Sequence, residues 1–305
     1  MRDTTAHLAP TLDAIQADLN AAAERIWEAS SPGCPSLSIE VLPTIGSTNT
    51  ELMARGRRGD TSPSLLVACH QTAGRGRQGR NWQASPGDSL TFSLGWPMRL
   101  DEVPGGGSAL SLAAGLAVAQ ALDKGLQTLP APFRRPSPIG LKWPNDLWLD
   151  GRKLGGILIE ASPALGLSEG QRWVVIGVGL NVRDVAAPSA SSALLPTSPN
   201  QGTDITPITV GQIWSWLAPS LIQHVQAFAT QGFAPLQDAY SQRDVLSGQQ
   251  VGLWTTPGQG PADGHAPSQT GLCKGVSETG ALLVHTDAGC QSWTTGEVSV
   301  RLHPT

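Results

Sequence analysis

His70-Gln71-Thr72-Ala73-Gly74-Arg75-Gly76-Arg77-Gln78-Gly79-Arg80-Asn81-Trp82 interleaves three arginines with three glycines directly after the apolar run Leu65-Leu66-Val67-Ala68-Cys69. The pattern predicts a strand feeding a mobile, cationic loop. Glycine lets backbone N–H groups approach a ligand closely and permits positive φ, while guanidinium groups bind carboxylate or phosphate oxygens through paired hydrogen bonds. Such a loop is suited to closing over an anion, and the mutual repulsion of its arginines predicts that it orders only when negative charge arrives. Gly74, Gly76 and Gly79 also fit the dinucleotide fingerprint G-x-G-x-x-G. That reading fails on context, because the fingerprint must open an apolar helix and here the turn-like Asn81-Trp82-Gln83-Ala84-Ser85-Pro86-Gly87-Asp88 follows.

Three further segments carry chemistry. Upstream, Ile45-Gly46-Ser47-Thr48-Asn49-Thr50-Glu51 holds Thr48 and Glu51 at capping-box spacing and so predicts a helix N-terminus. Downstream, Leu141-Lys142-Trp143-Pro144-Asn145-Asp146-Leu147-Trp148-Leu149-Asp150-Gly151-Arg152-Lys153-Leu154-Gly155-Gly156-Ile157-Leu158-Ile159-Glu160 reads as two strands joined at Asp150-Gly151, with Lys142, Lys153 and Asp146 on the hairpin. Trp173 to Val182 predicts a buried strand that breaks at Gly177 and Gly179 and ends on the amide of Asn181.

In this order the four segments resemble the biotin protein ligases, from about Ser38 to the C-terminus: the S-T-N turn, the G-R-G-R-x-G-R loop, K-W-P-N-D, and R-K-L-G-G-I-L-x-E, followed by G-V-G-L-N-V. The resemblance implies an α+β fold, a mixed sheet with helices of the class II aminoacyl-tRNA synthetase and biotin ligase type, plus a small C-terminal SH3-like β-barrel. It implies an enzyme that condenses biotin with ATP to biotinyl-5′-adenylate and passes biotin to one lysine of a biotin carboxyl carrier protein domain, with Mg2+ accompanying the nucleotide.

The site residues follow from the same resemblance. Biotin contacts are expected from Ser47, Thr48, Asn49, Gln71, Gly74, Arg75, Gly76, Arg77, Lys153 and Gly156, and ATP contacts from Arg75, Arg77, Arg80, Trp82, Lys142, Asn145, Lys153 and Asn181. Lys153, Arg77 and Asp146 are the catalytic candidates. Lys153 is placed to hold the carboxylate and the bridging phosphate, whose approach concentrates negative charge. Asp146 has three open readings: it orients the acceptor lysine, it holds magnesium, or it pins its own turn. Thr48 can be a cap, a ligand contact or both; Lys142 can be a solvated strand-end lysine, and Trp82 a plain core residue. No aromatic residue between Arg183 and Gln212 is available to stack on adenine, so Leu194, Leu195 or Trp82 is expected there.

At 305 residues with 40% hydrophobic content, the chain is long enough for one large domain and a small one. The expected division is an N-terminal helical extension over 1–35, a catalytic domain over 36–240 and a C-terminal β domain over 241–305. The first part carries an amphipathic stretch from Thr11 to Trp27, which predicts one helix and neither the length nor the basic recognition helix of a DNA-binding domain. Net charge −4 and a pI near 5.8 disfavour a general nucleic-acid surface, so no specific DNA is expected as a partner. No apolar run of about 18 residues marks a membrane span, the N-terminus lacks signal-peptide order, and the four cysteines form no C-x-x-C pair. A cytoplasmic protein with buried thiols is the expectation, as monomer or homodimer.

Ser108 to Leu122 predicts a buried helix, Gln127 to Pro138 a proline-bearing surface loop, Ala186 to Pro207 irregular chain over the adenine, and Val210 to Ala229 a helix closing the large domain. Gly248–Trp254, Gly271–Val276, Gly280–His285 and Thr295–Arg301 predict the strands of the small domain, with a loop insert from Pro257 to Gln269. Within the same fold, a lipoate or octanoyl transfer enzyme is the nearest rival; a biotin-sensing transcription factor and a non-catalytic nucleic-acid-binding protein are rivals of other classes.

Overall fold

The computed structural model describes residues 10–130, 137–183, 191–195, 208–255, 264–294 and 298–302. The helices are α1 (Leu12–Ser30), α2 (Thr48–Arg57), α3 (Leu110–Gln127), α4 (Val210–Gln231) and the short α5 (Gln237–Ser241). The large sheet contains β1 (Ser38–Ile45), β2 (Ser64–Gln71), β3 (Ser89–Met98), β4 (Gly140–Lys142), β5 (Asp146–Leu149), β6 (Arg152–Ser162) and β7 (Arg172–Asn181), in the order β1-β2-β3-β7-β6-β5-β4. Only β1 and β2 pair in parallel. A second, antiparallel sheet takes β8 (Gln250–Trp254), β9 (Gln269–Val276), β10 (Leu282–Thr286), β11 (Gly289–Trp293) and β12 (Ser299–Leu302), in the order β11-β10-β9-β8-β12.

Alternation along the strands assigns the faces. Val174, Ile176, Val178 and Leu180 of β7 join the main core with α1, α3 and α4, while Trp173 and Val175 point the other way, to Leu52 and Met53 of α2. Gly177 and Gly179 continue on this second face, where absent side chains leave room for ligand. The strand therefore does not break at its glycines as expected; it runs unbroken to Asn181. α1 is built into the main core through Ile15, Leu19, Ala22 and Ile26. Its Asp18 caps α4, accepting from Thr209 Oγ1 at 2.8 Å and Gly211 N at 2.7 Å.

Other differences from expectation have local causes. The segment 141–160 forms three strands, because a turn at Trp143-Pro144-Asn145 separates β4 from β5; the Asp150-Gly151 turn is as expected, both residues having positive φ. The N-cap of α2 is Ser47, whose hydroxyl accepts from Thr50 N at 3.4 Å. Thr48 is the first helical residue, and Glu51 pairs with Arg55 at 2.9 Å instead of closing a capping box. β11, absent from the expected strands, is a polar edge strand whose residues are only half-buried or exposed. Cys34, Cys69 and Cys273 are buried thiols, but Cys290 is exposed on that strand. Parts of the 127–138, 186–207 and 257–269 segments lie outside the described residues. Among the described residues, no helix is long and apolar enough to cross a membrane.

Trp173 locks α2 to the sheet. It is fully buried, donates from Nε1 to Leu52 O at 2.8 Å, and its indole fills the space left by Gly56 on α2 and Gly95 on β3. Trp173→Ala should therefore cost about 3–5 kcal/mol of stability. Urea unfolding would measure it, and a loss under 1 kcal/mol would show that α2 does not depend on this contact.

Candidate functional site

A cleft of about 1060 Å³, including its part open to solvent, lies on the α2 face of the sheet. Its floor is the glycine stretch of β7 and β6, where Gly179 pairs with Gly156. α2 contributes its N-terminal turn, the 74–82 loop forms one wall, and Lys142 to Asp146 form another. Val298 and the Ser299 to Arg301 part of β12 in the small sheet supply the last wall. All the residues expected to contact biotin or ATP by motif line this cleft except Gly74 and Asn181, and so does Asp146; the adenine candidates Leu194 and Leu195 do not.

Gly74 and Asn181 act from behind. Gly74 is buried, and a Cβ there would lie 2.5 Å from Trp82 O, so only glycine lets the two ends of the loop cross. Asn181 is buried and donates to Ser192 O at 3.3 Å, fixing the segment after β7. Leu194 and Leu195, expected near adenine, belong to the main core. Trp82 does line the cleft and is only partly buried; its Nε1 is buried without a hydrogen-bond partner among the described residues. A buried donor left free in a cleft wall is an opening for a ligand acceptor.

The polar end of the cleft is a connected network. Thr48 donates from N and Oγ1 to Gln71 Oε1 at 2.7 and 3.0 Å and meets Ser93 Oγ at 2.7 Å. Ser93 donates to Asn49 Oδ1 at 2.6 Å, and Asn49 Nδ2 donates to Glu160 at 3.1 Å. A Cβ at Gly177 would collide with the Asn49 amide, which explains the glycine.

The other end is cationic. Among the described residues, Arg77, Arg80, Lys142, Lys153 and Arg301 line this end with one carboxylate, Asp146, while Arg75 pairs with Glu160 at 3.0 Å. Lys153 Nζ donates to Asp146 Oδ1 at 2.6 Å, and Arg77 Nη1 donates to Asn145 Oδ1 at 3.2 Å. Lys142 is not a solvated strand-end lysine. It is 3% exposed, donates to Val300 O at 3.1 Å and lies 5.4 Å from the Trp148 ring centroid. Burial, then the nearby Arg301 charge, pushes its pKa down to about 8. Burial likewise lowers the pKa values of Arg77 and Arg301.

Arg301 and its neighbours on β12 were not among the expected site residues. Nothing local distinguishes Arg301 from a surface arginine on a terminal strand. It reaches the cleft because Trp143 Nε1 donates to Gly280 O at 3.1 Å and Lys142 binds Val300 O, docking the small sheet on the K-W-P turn.

Residues 41–181 match the biotin/lipoate A/B protein ligase family, and residues 263–301 match the biotin protein ligase C-terminal domain. The chain is 32% identical over 270 residues to the bifunctional ligase/repressor BirA of Escherichia coli, covering 87% of this chain and 74% of that protein. It is 32% identical over 259 residues to a biotin–[acetyl-CoA-carboxylase] ligase of Paracoccus denitrificans, covering 83% of this chain and 96% of that one. Among solved structures, a biotin protein ligase from Aquifex aeolicus in complex with biotin and ATP superposes with a TM-score of 0.64 at 26% identity, covering 87% of this chain and 99% of its own. The cleft, the docked C-terminal sheet and these likenesses together place the chain in the biotin protein ligase family.

Proposed function

We propose that this protein joins biotin to ATP, forming biotinyl-5′-adenylate and pyrophosphate, and then transfers the biotinyl group to one lysine of a biotin carboxyl carrier protein domain. The observation that carries the reading is the division of one cleft into a hydrogen-bonding end around Thr48, Asn49 and Gln71 and an end where, among the described residues, Arg77, Arg80, Lys142, Lys153 and Arg301 gather around Asp146. Biotin needs both: short polar partners for its ureido ring and fixed positive charge where its carboxylate meets the α-phosphorus. The match to the biotin ligase C-terminal domain favours this over a lipoate enzyme of the same large-domain family.

In this reading Ser47, Thr48 and Gln71 face the ureido ring, with Asn49 holding them through Ser93. Gly156 and Gly179 leave space for the bicyclic ring, and Trp82 closes it in and offers Nε1 to a ligand acceptor. Lys153 and Arg77 neutralise the carboxylate and α-phosphate as the new P–O bond forms, and Arg75, Arg80, Lys142 and Arg301 draw the departing pyrophosphate's charge. The carrier lysine's amine then attacks the acyl carbon and AMP leaves, so no Ser or Cys nucleophile is required. Asp146, already bonded to Lys153, orients that lysine and stands where the incoming amine must shed a proton. Arg75, Gly76 and Arg77 keep water from the mixed anhydride.

Magnesium enters this reading with the nucleotide. Among the described residues no three His, Cys, Asp or Glu side chains come together, and Asp146 is held by Lys153. The described residues thus hold no ready-made metal centre, and an ion carried on the phosphates would keep their oxygens as ligands.

The deciding experiment incubates the protein with biotin, ATP and a carrier domain and weighs the carrier by mass spectrometry. Addition of one biotinyl group that requires the carrier's target lysine is expected; an unchanged carrier would overturn the assignment. A ligase without operator recognition is part of the proposal, supported by the packing of α1 into the core.

Lys142 makes the reaction pH-dependent. Its charge is lost as pH rises through about 8, so KM for ATP should rise above that pH in wild type and be high and flat in Lys142→Gln. For folding the sign is opposite. The pKa is below the unfolded value of 10.5, so the buried charge costs stability at pH values below about 8, and the cost is relieved between 8 and 10.5. Identical pH profiles of KM in the two proteins would remove Lys142 from the nucleotide site.

A further inference from the structure

Lys142 is a buried ammonium in the company of like charge. It is 3% exposed, and its charged neighbours among the described residues are Arg301 on β12, Asp146 on β5, Lys153 on β6 and Arg80 in the 74–82 loop. Asp146 already accepts from Lys153 at 2.6 Å, and Lys142 Nζ donates to a neutral oxygen, Val300 O, at 3.1 Å. Burial and the three cations both favour the uncharged amine.

Trp148 offsets this. Its ring centroid lies 5.4 Å from Lys142 Nζ. Alternation along β5 sends Leu147 and Leu149 into the main core and leaves Trp148 on the opposite face with Asp146. Across the β4–β5 pair, Trp148 stands opposite Gly140, whose missing side chain leaves the indole free to reach its diagonal neighbour, Lys142. Trp148 is half-buried and does not line the cleft, whereas Lys142 does. The electron-rich face of an indole attracts a cation within about 6 Å, more strongly where water is excluded. It does so without net charge. A carboxylate in the same place would neutralise Lys142 and repel phosphate; a ring supports the ammonium and leaves its charge to act on an anion in the cleft.

We propose that Trp148 is a positioning residue, the face of its indole standing in for a carboxylate beside Lys142 and holding that buried ammonium charged at the cleft wall. The consequence for catalysis rests on the ligase reading, in which Lys142 draws the charge of the departing pyrophosphate. The pairing itself does not.

NMR titration of the full-length protein, with its lysines carrying 13C at Cε, tests the pairing directly. The chain has four lysines, Lys124, Lys142, Lys153 and Lys274, and the Lys142 signal is the one missing from Lys142→Gln. In wild type it should titrate with a midpoint of about 8. The ring favours the charged form, so Trp148→Leu, which keeps apolar bulk, should move the midpoint down by about 0.4–1.5 pH units, the range of one cation–π contact. Trp148→Phe, with a weaker face, should lie between the two. Replacing all ten tryptophans by mono- and then difluorotryptophan keeps their shape and withdraws electron density from the ring faces. The midpoint should then fall stepwise, a test that stands even if Trp148→Leu does not fold. An unchanged midpoint in either series would overturn the pairing. So would a raised midpoint in Trp148→Leu, because that marks water let in and not attraction lost. If the protein makes adenylate, the pH at which KM for ATP starts to rise should move down with the midpoint, and a fixed KM profile despite a moved midpoint would overturn the positioning role. If it makes none, the ligase reading fails while the lysine titration still decides the pairing.

Discussion

Lys153→Ala should lower biotin-dependent ATP–pyrophosphate exchange about 10²–10³-fold, the usual loss when one donor to developing negative charge is removed. The geometry makes the effect compound. Lys153 Nζ sits 2.6 Å from Asp146 Oδ1, so its removal leaves an unpaired carboxylate in the region where two anions must meet. Among the described residues Asp146 is the one carboxylate lining the cleft, and uncompensated it repels both the biotin carboxylate and the α-phosphate. The double variant Lys153→Ala/Asp146→Asn should therefore recover part of the lost exchange rate, although each substitution alone lowers overall transfer. Exchange by Lys153→Ala within a few-fold of wild type would show that Lys153 does not serve adenylation. No recovery in the double variant would separate the two residues' roles.

Gly179→Val should raise KM for biotin and for ATP about ten- to a hundredfold. A Cβ at this position would lie 2.6 Å from Cε2 of Trp82, closer than packed atoms tolerate, so the indole must leave its place. Trp82 is also the residue on which the 74–82 loop closes, through Trp82 N to Gly74 O and the Arg75–Asn81 bridge. Displacing it opens the loop as well as the wall. Overpacking of this kind costs about 1–3 kcal/mol, which is the stated range in affinity. Since the strand neighbours are Thr91 and Gly156, the large core is untouched and circular dichroism should be that of wild type. Gly179→Val/Trp82→Ala removes the clash and should bind better than Gly179→Val alone. Unchanged KM values in Gly179→Val would mean that Trp82 is not part of the ligand wall.

Much of the machinery is legible in the chain because it is local. The loop's glycines and arginines, the S-T-N turn and the K-W-P-N-D and R-K-L-G-G segments each declare their residue types within a few positions. The helices announce themselves by their apolar period and their caps, as Thr11 does for α1 and Thr209 for α4. Where local signals compete, the nearest one can mislead. Thr48 and Glu51 have capping-box spacing, yet Ser47 is the cap, because Gln71 and Ser93 from neighbouring strands already occupy the Thr48 hydroxyl. Gly177 and Gly179 look like strand breakers, but in an unbroken strand they make room for Asn49 and Trp82, partners 128 and 97 positions upstream by the numbering.

By itself the sequence determined the two-part α+β organisation, the cationic glycine loop and the residue types of an adenylating site, since composition, period and short motifs are set by neighbours along the chain. Tertiary structure alone decided what balances and completes that site. Glu160 meets Arg75 across 85 residues, and Lys142 meets Val300 across 158. Arg301 lines the cleft only because the small sheet docks on Trp143. Such pairings depend on sheet order and on the docking of one domain against another, where packing of the whole core chooses the partners and spacing along the chain carries no trace of them.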